Sequence, residues 1–230
     1  AAGRWEVSLL LLGQLQAPSP TVAAAALSAV AAARHWEVVL RLLEEASQRD
    51  EADAVAYGAA IVCCGRAGRW TWSLELLRRM KAATIQANTI VCNAAISSCD
   101  SCAEWQRALL VLEDMRREKV SADIVSYGAA ISACEKSRKW RHGLALLDEL
   151  RREGLSISTV VLSAAIGACN EAQWRRALLL LEAMVEEDLQ PNEVTFTSTI
   201  SACARAWRWE TAMELVLQMA RQGVPGGVVA

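Results

Sequence analysis

The sequence predicts an all-α solenoid of stacked helix–turn–helix repeats, and three observations carry the prediction. A cysteine recurs as Cys64, Cys99, Cys134, Cys169 and Cys203, at spacings of 35, 35, 35 and 34 residues. A tryptophan recurs in step with it, as Trp36, Trp70, Trp105, Trp140, Trp174 and Trp209. Good helix formers dominate a chain of 230 residues that is 53% hydrophobic and holds only four prolines. A period of roughly 20 to 50 residues marks an architecture in which each unit buries its apolar face only against its neighbours.

Each element follows from the repeat. Arg4–Leu15 matches only the second half of a repeat, and Ala17-Pro-Ser-Pro20 breaks it. Val22–Ala33 is an Ala-rich first helix, His35 sits in the turn, and Trp36–Ser47 is the second helix. A polar link, Gln48–Ala54, follows. First helices are then expected near Tyr57–Arg66, Cys92–Cys102, Tyr127–Ser137, Leu162–Ala172 and Phe196–Ala206. Second helices are expected near Trp70–Lys81, Trp105–Glu118, Trp140–Glu153, Trp174–Glu187 and Trp209–Gln222. The second helices place Ala, then Leu or Val, then Met at i, i+4 and i+7, as in Ala108, Leu112 and Met115, which is one apolar face at helical period. Gly223-Val-Pro-Gly-Gly227 carries C-cap chemistry. The organisation is a partial leading repeat over residues 1–20 and six repeats over 21–230 forming one solenoid.

Composition excludes several functions. The net charge is −2, so the whole molecule lacks the basic signature of a simple nucleic-acid binder. The apolar runs Leu9–Leu12, Val22–Ala33 and Ala177–Leu181 fall short of the roughly 20 residues that span a bilayer. No signal or transit peptide is visible, and the chain begins without Met, so an N-terminal extension is expected to precede it. Equivalent cysteines in stacked repeats lie on the order of 10 Å apart, beyond disulfide reach, so these thiols are read as small apolar groups where helices pack. His35-Trp-Glu37 and Cys99-Asp-Ser-Cys102 imitate a zinc deaminase signature. Ser98 stands where the signature has Pro, and the two segments are two repeats apart, so no metal or other cofactor is expected. His142 and paired carboxylates such as Glu44-Glu45 and Glu186-Glu187 are read as solvated helix residues. No phosphate-binding loop or nucleophile elbow occurs, and no enzyme activity is expected.

The pattern V-x-Y-x-x-x-I-x-x-C-x-x-x-x-x-W-x-x-A-L-x-L-L-x-x-M closes on Ala122-Asp123 or Pro191-Asn192. Together with Gln190-Pro-Asn-Glu-Val-Thr-Phe-Thr-Ser-Thr-Ile200 it resembles the pentatricopeptide repeat over nearly the whole chain. Tetratricopeptide repeats lack this entry and the mostly 35-residue spacing. The resemblance implies a right-handed superhelical solenoid whose first helices line a concave face. The Trp opening each second helix departs from the family's usual aliphatic residue and is expected to pack between repeats.

The family binds single-stranded RNA at about one base per repeat. By resemblance, the reading pairs are Ala24 with Asp53, Gly58 with Asn88, Asn93 with Asp123, Gly128 with Ser158, Ser163 with Asn192, and Thr197 with Gly226. Asn93 with Asp123 fits the family's uracil reader, and Ser163 with Asn192 its adenine reader. Thr197 keeps a hydroxyl, whereas Gly and Ala offer a base no side-chain donor or acceptor. The base-clamping residues map to Val55, Ile90, Val125, Val160 and Val194, which could equally pack against the first turn of the helix. The phosphate-contacting residues map to Arg66, Lys136 and Arg205, a stripe interrupted by Ala32, Ser101 and Glu171. The implied function is a non-catalytic, organellar (chloroplast or mitochondrial) RNA-binding protein acting in RNA processing, stability or translation. The alternative is a scaffold subunit that binds proteins of a larger organellar complex, favoured by the net acidity, the blunted reading pairs, the apolar Val22–Ala33 region and the open half-repeat at the N-terminus.

Overall fold

The computed structural model describes residues 36–49, 52–169 and 171–224. The predicted half-repeat at Arg4–Leu15, the helix at Val22–Ala33, His35, Ala24 and Gly226 lie outside the described residues. Eleven α-helices, and no strand among the described residues, form an all-α repeat solenoid. The chain divides into two units, residues 1–122 and 123–230. Unit one holds α1 (Trp36–Gln48), α2 (Ala54–Arg66), α3 (Trp70–Ala82), α4 (Thr89–Ser101) and α5 (Trp105–Arg117). Unit two holds α6 (Ile124–Lys136), α7 (Trp140–Arg152), α8 (Thr159–Ala168), α9 (Trp174–Glu186), α10 (Glu193–Arg205) and α11 (Trp209–Arg221). Within each unit every first helix packs against its own second helix and against the next first helix.

The second helices fall within a residue of the expected ends. The first helices start three residues earlier than expected, because the residue closing each repeat caps the helix that follows. Asp53 Oδ1 accepts from Ala56 N at 2.8 Å, Asn88 Oδ1 from Val91 N at 3.0 Å, and Asn192 Oδ1 from Thr195 N at 3.0 Å. Ser158 Oγ accepts from Val161 N at 3.4 Å. Asp123 forms a reciprocal box with Ser126: its Oδ1 accepts from Ser126 N at 2.9 Å while its own N–H donates to Ser126 Oγ at 3.1 Å. Each cap satisfies a donor that the helix leaves without a partner and is worth about 1 kcal/mol.

The recurrent cysteine closes the turn between paired helices. The amides of Arg69, Glu104, Lys139 and Arg208 donate to the carbonyls of Cys64, Cys99, Cys134 and Cys203 at 2.8 to 2.9 Å. This closure needs a left-handed residue two positions before the donating amide's successor Trp, and Gly68, Ala103, Arg138 and Trp207 supply it. The fifth repeat lacks one residue here, since Cys169 and Trp174 are five apart instead of six. Accordingly α8 stops at Ala168, four residues short of the expected end, Cys169 is extended, and a 3₁₀ turn at Glu171–Gln173 replaces the closure.

The core lies between helices of each pair. In unit one, Tyr57, Ile61 and Cys64 are buried with Leu76, Leu77 and Met80, then Ile96 and Cys99 with Leu112 and Met115. In unit two, Tyr127, Ile131 and Cys134 are buried with Leu146, Leu147 and Leu150, then Ile166 with Leu181 and Met184, and Phe196 with Met219. All eight cysteines are free. Burial pushes the thiols of Cys64 and Cys99 up to about 12, and those of Cys92, Cys134 and Cys169 up to about 11. These cysteines are therefore inert packing groups, as the spacing argument required. Among the described residues no group of His, Cys, Asp and Glu could hold a metal ion. No helix among them is long and apolar enough to cross a membrane.

Candidate nucleic-acid interface

Counting from the residue after the cap, the family's clamping and reading positions are the second and fifth residues of each first helix, and the phosphate-contacting position is the thirteenth of α2, α4, α6 and α10; α8 ends at its tenth residue. With the ninth they are spaced three, four and four residues apart, so all four share one helical stripe. The ninth position is Val62, Ser97, Ser132, Gly167 or Ser201, mostly small.

The second position decides between the two readings of its side chain. Val55 is 59% exposed, Ile90 74%, Val125 53%, Val160 72% and Val194 56%. They stand inside the helix, not before it, and they do not pack against its first turn. Leaving one aliphatic side chain of this size in water forgoes about 1.5–3 kcal/mol of burial. Repeated at the same helical position, this leaves two exposed rungs on the packed helices α2 and α4 of unit one and three on α6, α8 and α10 of unit two.

The reading residues differ from one another. Thr197 is exposed and Asn93 half-buried. Asn192 is exposed and Asp123 half-buried, and each also caps a helix. Ser163 is only 7% exposed, and its hydroxyl donates to Thr159 O at 2.6 Å, the back-bond to residue i−4 that mid-helix serines adopt. The structure therefore turns the predicted Ser163 reader toward its own backbone. Gly58 and Gly128 bring no side chain at all. A Cβ on Gly58 would lie a tight 3.2 Å from Val91 Cγ2, and one on Gly128 at an ordinary contact distance of 3.4 Å from Val161 Cγ2, so a valine of the next repeat borders each position. Arg66, Lys136 and Arg205 are exposed at the last residue of α2, α6 and α10.

Sequence reasoning missed the role of the tryptophans. Trp36, Trp70, Trp105, Trp140 and Trp174 are half-buried, and Trp209 is 69% exposed. They do not fill the core; several carry arginines on their rings. Arg69 lies 5.0 Å from the centre of Trp36, and Arg208 5.0 Å from that of Trp174. Arg141 and Arg176 both lie 5.2 Å from Trp140, and Arg175 lies 5.2 Å from Trp174. The signal was present in Trp140-Arg141 and Trp174-Arg175-Arg176, but contacts between neighbouring repeats join residues about one period apart and appear only on stacking.

Comparison with known proteins places this geometry. The pentatricopeptide repeat domain matches residues 75–137, and the PPR repeat matches 55–85, 125–155 and 194–224, together more than half of the chain. The chain belongs to the pentatricopeptide repeat family. No individual curated protein matches it. Among solved structures, the fold is similar to the pentatricopeptide repeat protein PPR10 in complex with an 18-nt psaJ RNA element. The TM-score is 0.77 and the identity 23%, over 95% of this chain and 34% of that one. It is also similar to the PPR domain of Arabidopsis thaliana protein-only RNase P 1 in complex with tRNA. There the TM-score is 0.61 and the identity 11%, over 73% of this chain and 89% of that one. Nuclear proteinaceous RNase P 2 from A. thaliana gives a TM-score of 0.69 at 14% identity, over 80% of this chain and 41% of that one. This pentatricopeptide repeat chain thus spans about a third of PPR10.

Proposed function

We propose that this chain is a non-catalytic, organellar RNA-binding protein that holds single-stranded RNA along the stripe of its first helices. The observation that carries the reading is the row of exposed aliphatic residues at the second helical position: Val55 and Ile90 in unit one, Val125, Val160 and Val194 in unit two. Flat bases are the ligands that such evenly repeated apolar rungs accept, since any base covers them without hydrogen-bond demands. Asn93, Asp123, Asn192 and Thr197 add base-edge selectivity, and Arg66, Lys136 and Arg205 hold phosphates. Binding is weakly sequence-selective, because the Gly58 and Gly128 repeats offer no reading side chain and Ser163 faces inward. PPR10 and RNase P 1, whose structures hold RNA, support the class of ligand. Its proposed place is a chloroplast or mitochondrion and its proposed part is in RNA processing, stability or translation, a reading supported by resemblance to the family.

The test is binding to a pool of single-stranded RNA across a salt series. Micromolar or tighter affinity that falls steeply with salt, and falls further in the Arg66/Lys136/Arg205→Ala triple variant, is the expected result. Absence of binding at low salt overturns the reading.

A second reading, a scaffold that binds other proteins, is favoured by one patch. On α11, Met213, Val216 and Leu217 are exposed beside Trp209. A pull-down that recovers one stoichiometric protein, lost on Met213→Asp, is its expected signature.

A further inference from the structure

Two sets of cations among the described residues contrast with each other. On the second helices they face carboxylates: Arg78 and Arg79 hold Glu75, Lys81 holds Asp114 and Glu118, Arg117 holds Asp114, and Arg151 holds Glu187. At the starts of α7, α9 and α11, in unit two, the arginines face indoles instead. Arg141 and Arg176 share the ring of Trp140; Arg175 and Arg208 share that of Trp174. Among the described residues none of these four arginines makes an ion pair with a carboxylate.

Two guanidinium groups on one ring repel each other, and an indole neutralises neither. The ring does fix them, at about 0.5–1 kcal/mol per contact, and so lowers the entropy lost when they bind. A guanidinium over a ring keeps its N–H fork in its own plane, and the acceptors that match that fork are carboxylates and phosphates; on an RNA-binding chain the phosphate is the one at hand. The turn ahead of Trp140 adds Lys136, Arg138 and Lys139, with Glu135 beside them in the sequence. The chain as a whole carries −2, so this positive edge is not the by-product of a basic protein. Trp140 and Trp174 are half-buried, which keeps them from inserting into a lipid surface.

We propose that Trp140 with Arg141 and Arg176, and Trp174 with Arg175 and Arg208, are two phosphate-binding sites for the backbone of a single-stranded RNA, built at the starts of the second helices and outside the base-facing stripe. The proposal rests on the RNA-binding reading above. Each arginine that meets a phosphate releases condensed counterions, so each contributes to the salt dependence of binding by about 0.7 in the slope of log K against log salt.

The experiment measures affinity for a fluorescein-labelled single-stranded RNA pool across a potassium chloride series. It compares the full chain with R141Q/R176Q, R175Q/R208Q, R141K/R176K and the ion-paired control R117Q/R151Q. Each Gln pair is expected to flatten the slope by about 1.4 and to lower affinity at low salt about tenfold. The Lys pair, which keeps the charge and loses the fork, is expected to keep the slope and lose affinity a few-fold. The control keeps both. Parental slopes in the two Gln pairs, with RNA still bound, overturn these sites and leave the first-helix reading intact. No RNA binding by the parent overturns both. Melting by circular dichroism shows whether the Gln pairs fold; if they do not, the Lys pair decides, and an affinity equal to the parent's overturns the proposal.

Discussion

First and second helices begin in opposite ways, and the difference separates the two faces of the repeat. Every described first helix from α2 onward starts on an Asp, Asn or Ser whose side chain caps it. No second helix from α3 onward has a side-chain cap; the residues at that place are Arg69, Glu104, Lys139, Gln173 and Arg208. Helices α3, α5, α7 and α9 also lack an acidic residue in the first turn, where the helix dipole would favour one. The first helices are complete on their own and present an apolar row to solvent. Among the second helices, α3 and α7 start on a cation, Arg69 and Lys139, with no acidic residue in the first turn, a placement that the helix dipole opposes. Both are arrangements that a bound polyanion with flat bases would use.

The sharpest way to break this comparison is to charge the apolar row. V125D/V160D/V194D is expected to lower RNA affinity by at least about a hundredfold, through repulsion of phosphates and loss of apolar contact. The same variant keeps its melting temperature nearly unchanged, because all three side chains are exposed. A large drop in melting temperature would mean that the row is part of the core.

The caps give the next effect. Asp123→Ala removes the side-chain half of the capping box, leaving the backbone amide of residue 123 to donate to Ser126 Oγ, and is expected to destabilise by about 1 kcal/mol in urea unfolding. Lys139→Ala, at the same place on a second helix, makes no such loss, since no side-chain cap is removed. Equal effects would erase the distinction.

Trp207 sharpens the turn between the two kinds of helix. It is 90% exposed at φ +57°, the place that Gly68 takes in unit one. Trp207→Gly is expected to raise stability by up to about 1 kcal/mol by relieving the left-handed conformation of a bulky residue. A loss of stability would show that the indole is packed.

The smallest effect belongs to the paired charges of the second helices. Hydrogen bonds from Arg78 and then Arg79 hold the Glu75 carboxyl down at about 2, against an ordinary value near 4.5. A carboxyl depressed on folding contributes stability above its unfolded value, and the contribution is lost as pH falls toward about 2. Glu75→Gln therefore melts slightly below the parent at pH 7, and the difference closes as the pH is brought down. On an exposed face this pair contributes little in either case.

Much of this was legible beforehand. The 34- to 35-residue period, the helix pairs and the inert thiols follow from Cys64 to Cys203 and Trp70 to Trp209, because a helix face that must be buried every repeat imposes its spacing on the letters. The starts of the first helices were placed three residues late, since Asp53 or Asn88 can end a loop or cap a helix and the letters are the same for both. The inward turn of Ser163 was hidden for a similar reason: a hydroxyl bonds whichever acceptor the backbone brings near it.

By itself the sequence determined the class of fold, the number of residues per repeat and the family, all of which rest on local helix preference and a periodic apolar face. Only the tertiary structure decided which apolar residues stay uncovered, which reading positions a valine of the next repeat borders, and that Trp140 and Trp174 hold arginines instead of filling the core. Apart from the contacts of Arg141 and Arg175 with the tryptophan beside each in the sequence, those outcomes join residues about one repeat apart, and no local preference carries them: exposure and contact between repeats exist only once the helices stack.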